Sequence, residues 1–222
     1  MYARFVKLVV VATAMLFVLS GCAVQQARKD YGSFRDASPR SILVVPVINK
    51  SVEVDAPDYF LSTIARPLAE RGFYVFPVHL VKRVMEDDGL SDADMVHAGE
   101  PQRLGKLFGS DAVMYISIER WDAQYLILAT AVTVEMKYTL KSVATGETLW
   151  ANSQKLVYQP QNNSGGGIAG LVAMAITAAI TKAAPNYVPL AQQANFMAIY
   201  TKGQGLPAGP YDAAFNKDKS EF

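Results

Sequence analysis

The order of hydrophobic patterns along this chain constrains its fold more than any other feature. Between residues 41 and 110, apolar runs of strand length alternate with segments whose apolar residues recur at helical spacing. From Asp111 onward, apolar and polar residues alternate with a period of two. The first pattern predicts buried parallel strands joined by helices, and the second predicts half-exposed antiparallel strands. We therefore expect an α/β fold: a mixed β-sheet with a parallel strand-helix-strand start, antiparallel hairpins after it, and helices packed on it.

The parallel part is predicted to start with a strand at residues 41–48, in which Pro46 indicates an edge or a bulge. A second strand is expected at residues 73–78. The helix between them is indicated by apolar residues at every fourth position, namely Phe60, Ile64 and Leu68. Pro67 lies in this pattern and should kink or split the helix, because it lacks an N–H group.

The antiparallel part is predicted most clearly by residues 132–141, where apolar and polar residues alternate. Ala144-Thr145-Gly146-Glu147 supplies a turn, and residues 148–158 return as the partner strand. The two segments should form a hairpin.

The N-terminus has the pattern of an export signal. Arg4 and Lys7 precede an uncharged apolar run, residues 8–19. About 12 residues make a helix of roughly 18 Å, which is too short for a bilayer core of about 30 Å. The segment is therefore predicted to be a cleaved leader.

Cys22, the single cysteine, ends the tetrad Leu19-Ser20-Gly21-Cys22. This tetrad resembles the bacterial lipobox, which implies cleavage between Gly21 and Cys22, diacylglycerol on the sulfur and an acyl chain on the new N-terminus. No other cofactor is expected. Ala23 and Val24 follow, without the Asp that commonly retains such proteins at the inner membrane, so the resemblance implies delivery to the outer membrane.

These patterns divide the chain into four regions. Residues 1–21 are the lipoprotein signal peptide, and residues 22–39, which are polar and mixed in charge, are a lipidated tether. Residues 40–211 form the α/β domain, which should fold without the tether, and residues 212–222 are a disordered tail. Without residues 1–21 the chain loses two of its 21 basic and none of its 20 acidic residues. This near-neutral balance gives no case for nucleic-acid binding.

The predicted domain includes an apolar segment at residues 168–184, preceded by a run of Asn, Ser and Gly. Three interpretations remain open: a helix buried on the sheet, a helix packed against a partner or second copy, and membrane insertion. About 17 residues lie at the lower limit for a span.

Residue sets for catalysis are sparse. The only histidines are His79 and His97, and Asp92 and Asp94 near His97 are better explained as solvated helix residues than as metal ligands. We assign no catalytic, cofactor-binding or metal-binding residue.

Several stretches resemble a family of bacterial lipoproteins of unknown function, typified by a neisserial vaccine-candidate lipoprotein. They are SILVVP at 41–46, PLAERGFYVFP at 67–77, residues 111–118 and LPAGPY at 206–211. The Thr145-to-Trp150 hairpin is also similar to the N-terminal domain of TolB, to penicillin-binding-protein activator lipoproteins and to the periplasmic part of the curli-secretion lipoprotein. The resemblance implies a compact α/β domain facing the periplasm, without enzymatic activity. It also implies envelope-protein partners, among them a curli-secretion-type lipoprotein.

The segment at 206–211 has two interpretations. It is either a rigid loop packed over its own domain or a partner-docking loop, for which the candidate residues are Pro207, Gly209, Pro210 and Tyr211.

We predict a non-enzymatic, outer-membrane-anchored periplasmic lipoprotein that serves as an accessory or scaffold in an envelope export or assembly complex. One alternative is a small-ligand binder or enzyme with a cleft near His79 or His97. Another is a structural lipoprotein that assembles into homo-oligomers.

Overall fold

The fold is a mixed six-stranded sheet with helices on both faces. The computed structural model describes residues 28–126, 129–158 and 187–222. The strands are β1 (Ser41–Val44), β2 (Ile48–Asn49), β3 (Tyr74–Val75), β4 (Ala112–Leu126), β5 (Ala129–Ser142) and β6 (Thr148–Tyr158). The helices in the described ranges are α1 (Gly32–Ala37), α2 (Ala56–Glu70), α3 (Val78–Asp87), α4 (Ala93–Ala98), α5 (Pro101–Phe108) and α6 (Val188–Tyr200).

The sheet has the order β3-β1-β4-β5-β6, and β2 also pairs with β4. Strands β1, β2 and β3 run parallel to their neighbours, whereas β4–β5 and β5–β6 are antiparallel. The predicted mixed sheet, with its parallel start and antiparallel hairpins, is therefore confirmed. The predicted strand at 41–48 is divided into β1 and β2 around Pro46, as a residue without an N–H group requires.

The main core lies between one face of the sheet and helices α2 and α6. Alternate residues of the long strands, such as Met114, Val134 and Tyr138, meet Phe60 of α2 and Leu190 of α6 there. Helix α2 continues through Pro67 to Glu70, so the predicted split is wrong. Pro67 cannot donate to the carbonyl of residue 63, but it lies in the last turn, so only three helical residues follow the missing bond.

A second, smaller core lies on the opposite face, under helices α3, α4 and α5. It contains Leu43 and Val45 from the β1 region, Tyr115 of β4, and Val81 and Met85 of α3. This cover does not extend over β5 and β6, where Lys137, Ser153 and Lys155 are exposed. The antiparallel strands are thus covered on one face only, which explains their alternating sequence.

A buried polar network joins β5 to the two helices of the main core. The Tyr138 hydroxyl donates to Asn195 Oδ1 (2.7 Å), and Asn195 Nδ2 donates to Thr63 Oγ1 (2.9 Å). Burial raises the pKa of Tyr138 well above its ordinary value, so this hydroxyl keeps its proton. Each buried group has a partner, which fixes how α2 and α6 sit on the sheet.

Candidate functional site

The predicted docking loop, residues 206–211, lies against the end of helix α2. Arg71 donates from Nε to the Leu206 carbonyl (2.7 Å), and backbone hydrogen bonds join Gly209 N to Arg71 O (2.8 Å) and Tyr211 N to Gly72 O (3.1 Å). Pro207 and Gly209 are buried, and Pro210 is half-buried. Of the four candidate residues, only Tyr211 presents most of its side chain to solvent, with 68% exposed.

The close approach of the loop at 206–211 to the end of α2 requires glycine at residue 72. Its φ of +86° lies in the left-handed region, and a Cβ atom there would collide with the backbone of Asp212 and with the Gly209 carbonyl. A larger residue would therefore meet both backbone strain and a backbone obstacle.

Asp218 and Arg71 form the centre of the contacts made by the segment after α6. Arg71 donates from a terminal nitrogen to Asp218 Oδ2 (3.1 Å), and the Ala208 N–H donates to the same oxygen (2.6 Å). Arg35 of α1 lies 3.6 Å from Asp218 Oδ1. The Arg71 guanidinium also lies over the Phe222 ring, 4.5 Å from its centroid.

These contacts correct the predicted disordered tail at 212–222. Asp218 and Phe222 are buried, with 7% and 6% of their surface exposed. The charged residues that indicated disorder include the acid that neutralises the buried Arg71. The segment is part of the domain.

The predicted tether is also partly folded. Helix α1 places Phe34 in the main core, and Tyr31 is buried there as well, donating from its hydroxyl to the Gly205 carbonyl (2.8 Å). Lys29 donates from Nζ to Ala151 O, Asn152 Oδ1 and Gln204 O. The domain therefore begins by residue 28 and not at residue 40.

The environment of Lys29 has two opposing effects on its charge. Burial lowers the pKa of Lys29 to about 8. Three acceptors and the Trp150 ring, 5.3 Å from Nζ, favour the ammonium. The side chain is consequently charged at neutral pH and holds β6 and residue 204 against the N-terminal segment.

A groove of about 670 Å³ lies between the N-terminal segment and the β5–β6 turn. Its walls come from α1, the start of β1, α5 and the β5–β6 turn, and its charged lining residues are Asp36, Arg40, Lys106, Asp111 and Glu147. Ser110 Oγ in its lining is buried without a hydrogen-bond partner. Neither His79 nor His97 lines this groove.

The two histidines have different environments. His79 is exposed on α3, whereas His97 of α4 is half-buried and forms a hydrogen bond through Nε2 with the Pro46 carbonyl (2.9 Å). Burial lowers the pKa of His97. Asp92 caps α4 by accepting from Asp94 N and Met95 N, so it has a structural role. Across the described ranges, no group of three or more His, Cys, Asp or Glu side chains could hold a metal ion.

Three predicted features lie outside the described residues: the signal peptide at residues 1–21, the lipidation site at Gly21 and Cys22, and the apolar segment 168–184. Within the described ranges, no helix is long and apolar enough to cross a bilayer.

No sequence pattern indicated the residues that organise this end of the domain, Lys29, Arg71 and Asp218. Arg71 and Asp218 are 147 positions apart, and no local spacing relates them. The one local signal was Gly72 directly after Arg71 in the stretch that carried the family resemblance.

Comparison with known proteins gives the family of the chain. Residues 29–211 match the family described as Putative lipoprotein GNA1162-like. The chain belongs to this family. A protein of Neisseria meningitidis serogroup B, described as Putative lipoprotein NMB1124/NMB1162, is 37% identical over 171 residues, which are 77% of this chain and 79% of the relative. The resemblance inferred from the sequence is confirmed.

A solved structure of a relative agrees with the fold of this GNA1162-like chain. The crystal structure of lipoprotein GNA1162 from Neisseria meningitidis has a TM-score of 0.54 at 36% identity, covering 63% of this chain and 96% of that one. A PelC dodecamer from Paraburkholderia phytofirmans has a TM-score of 0.39 at 14% identity, covering 60% of this chain and 79% of that one.

Proposed function

We propose that this chain is a lipid-anchored protein of the outer membrane, facing the periplasm, that works without enzymatic activity by binding other envelope proteins. In this role it is an accessory or scaffold in an envelope export or assembly complex. The observation that carries the proposal is membership of a lipoprotein family in a chain whose Cys22 ends a tetrad that resembles a lipobox. Diacylglycerol on the Cys22 sulfur and an acyl chain on its nitrogen would anchor the chain stably, because two or more acyl chains suffice.

The described residues support binding more than chemistry. The charged side chains that are most buried, Arg71 and Asp218, are engaged with each other, with the loop at 206–211 and with α1. His97 Nε2 forms a hydrogen bond with the Pro46 carbonyl. These groups stabilise the domain, which leaves exposed side chains such as Tyr211 to contact a partner.

Affinity purification of the lipidated chain from mild detergent tests the proposal. Envelope proteins, such as a lipoprotein of the curli-secretion type, should be recovered reproducibly with the parent chain. A Cys22→Ser chain should lose lipid labelling and be recovered with fewer of them. Recovery of the lipidated chain alone would contradict the scaffold role, and its mass in detergent would then test the homo-oligomer alternative.

The contribution of Tyr211 is tested within the same experiment. Tyr211→Ala removes an exposed ring and should reduce recovery of the partner several-fold without changing the melting temperature. Tyr74→Ala is the matched control, because Tyr74 is also exposed (52%) but lies on the edge strand β3. If the Tyr211→Ala and Tyr74→Ala chains recover the same amount of partner, Tyr211 is excluded from the docking surface.

A further inference from the structure

We propose that the surface where residues 28–31 meet residues 201–205 and 217–221 contacts the phospholipid headgroups of the anchoring membrane. We call it the junction surface. The inference rests on the proposed lipidation of Cys22 and adds an orientation to it: one defined end of the domain faces the bilayer.

Only a short length of chain separates the proposed anchor from the domain. Arg28 lies six residues after Cys22. Six residues span at most about 20 Å even when fully extended. A tether of 17 residues would have allowed roughly 55–60 Å and any orientation. The shorter link keeps Arg28 within about 20 Å of the membrane.

The chain is fixed to the domain from Arg28 onward. Arg28 donates to the Lys219 carbonyl (2.9 Å), and Lys29 N donates to the Gly203 carbonyl (3.1 Å). The side-chain bonds of Lys29 and Tyr31 add contacts to β6 and to residues 204 and 205. The surroundings of Arg28 must therefore approach the membrane together with it.

The junction surface also has an excess of positive charge. The segments of the junction surface carry four exposed cations, Arg28, Lys202, Lys217 and Lys219, against two exposed acids, Asp30 and Glu221. Glu221 pairs with Lys202 (2.6 Å). The excess of cations suits a surface that contains anionic phospholipid.

The sheet places other exposed residues well away from this end. Lys29 contacts Ala151 near the start of β6, and Val157 lies six residues further along the strand. That separation corresponds to roughly 20 Å. Val157 is 49% exposed, so it provides a matched position for comparison with Lys219.

The test uses the lipidated chain in vesicles of phosphatidylethanolamine and phosphatidylglycerol that contain a lipid with a nitroxide on its headgroup. Two variants, Lys219→Cys and Val157→Cys, are labelled with a thiol-reactive fluorophore; the Cys22 thiol is already occupied by lipid. Both positions are exposed, and the Lys219 carbonyl that accepts from Arg28 is retained. We expect several-fold stronger quenching at residue 219 than at residue 157.

The outcomes separate this inference from the function on which it rests. Flotation of the labelled chains with vesicles, and its loss in Cys22→Ser, supports the anchor; equal flotation of Cys22→Ser overturns the anchor and the orientation together. If the chains float and quenching at residue 157 equals or exceeds that at residue 219, only the orientation is overturned. The junction surface would then be open to another occupant, such as a partner protein.

Discussion

At the scale of single residues, the domain depends on charges that are buried and paired. Asp218 accepts from Arg71 and from the Ala208 N–H, and Arg35 lies close by. An isolated charge in this position would be costly, but each partner neutralises the other. The free energy of unfolding should therefore fall when either Arg71 or Asp218 is replaced by an uncharged residue.

Asp218→Asn keeps the size of the side chain and removes its charge, which leaves the buried Arg71 without a counter-ion. We expect the free energy of unfolding to fall by about 3 kcal/mol, measured by urea titration. Glu221→Gln is the control, since its pair with Lys202 is exposed and should contribute little. Equal effects of the two substitutions would contradict the central position of Asp218.

Lys29 gives a second prediction, which concerns pH. Between pH 8 and pH 10 the folded chain has released the Lys29 proton, whereas the unfolded chain keeps it until its ordinary pKa of 10.5. Because the unfolded state binds more protons at this group, the Lys29 contribution to the free energy of unfolding should rise with pH in this window. Tyr31, Tyr115 and Tyr138 act in the opposite direction as the pH nears 10, since burial raises the pKa of each hydroxyl.

Lys29→Met removes the titrating group, so it should remove this rise. The measurement is the slope of the free energy of unfolding against pH from 8 to 10 in both chains. Identical slopes would show that Lys29 does not titrate in this window.

At the scale of elements, the segments at the two ends of the described chain stabilise one another. Helix α1 is only six residues long, and a helix of that length is not stable alone. It is held because Phe34 packs on Phe73 (6.2 Å between ring centroids) and Tyr31 packs on Phe222 (5.9 Å). The loop at 206–211 is held in turn by the end of α2.

Gly72→Ala tests the close approach of that loop to α2. The matched control is Gly109→Ala, because Gly109 has a similar φ of +73° but open space around the added Cβ. The control should lose about 1 kcal/mol from the left-handed conformation alone. Gly72→Ala should lose about 3 kcal/mol or more, because the backbone of Asp212 must also move. Thermal melting of both variants gives the comparison. Equal losses of stability would mean that the loop at 206–211 moves away from residue 72 at little energetic cost.

At the scale of the whole molecule, the domain extends over the segments that were predicted to be tether and tail. Residues 28–37 and 201–222 meet at the end of the sheet where β1 and β4 begin. This arrangement shortens the link to Cys22 and makes the region around residue 28 part of the folded unit.

A chain that begins at Ser41 should therefore be strongly destabilised. It lacks the buried rings of Tyr31 and Phe34, and loss of one large aromatic side chain costs about 3–5 kcal/mol. That loss is comparable with the total stability of a typical domain, about 5–15 kcal/mol. A chain from Arg28 should melt at the same temperature as one from Ala23, whereas the chain from Ser41 should melt far lower or fail to fold. Equal melting temperatures of all three would restore the tether prediction for residues 28–39.

The sequence by itself determined the elements and their pairing in broad outline. The continuous run at 41–48 and the alternation at 132–141 predicted the parallel and antiparallel strands correctly, because periodicity records which faces of a strand are buried. The stretches at 41–46, 67–77, 111–118 and 206–211 also identified the family, which the match over residues 29–211 confirmed.

Only the tertiary structure decided where the domain begins and ends, and which charged side chains are buried and with which partners. Asp218 and Lys29 look like residues of solvated segments, because a polar, charged stretch has no periodicity that reveals burial. Their partners, Arg71 and the carbonyls of residues 151 and 204, are more than 100 positions away along the chain. Such contacts form only when folding brings distant segments together, and no local pattern in the sequence encodes that distance.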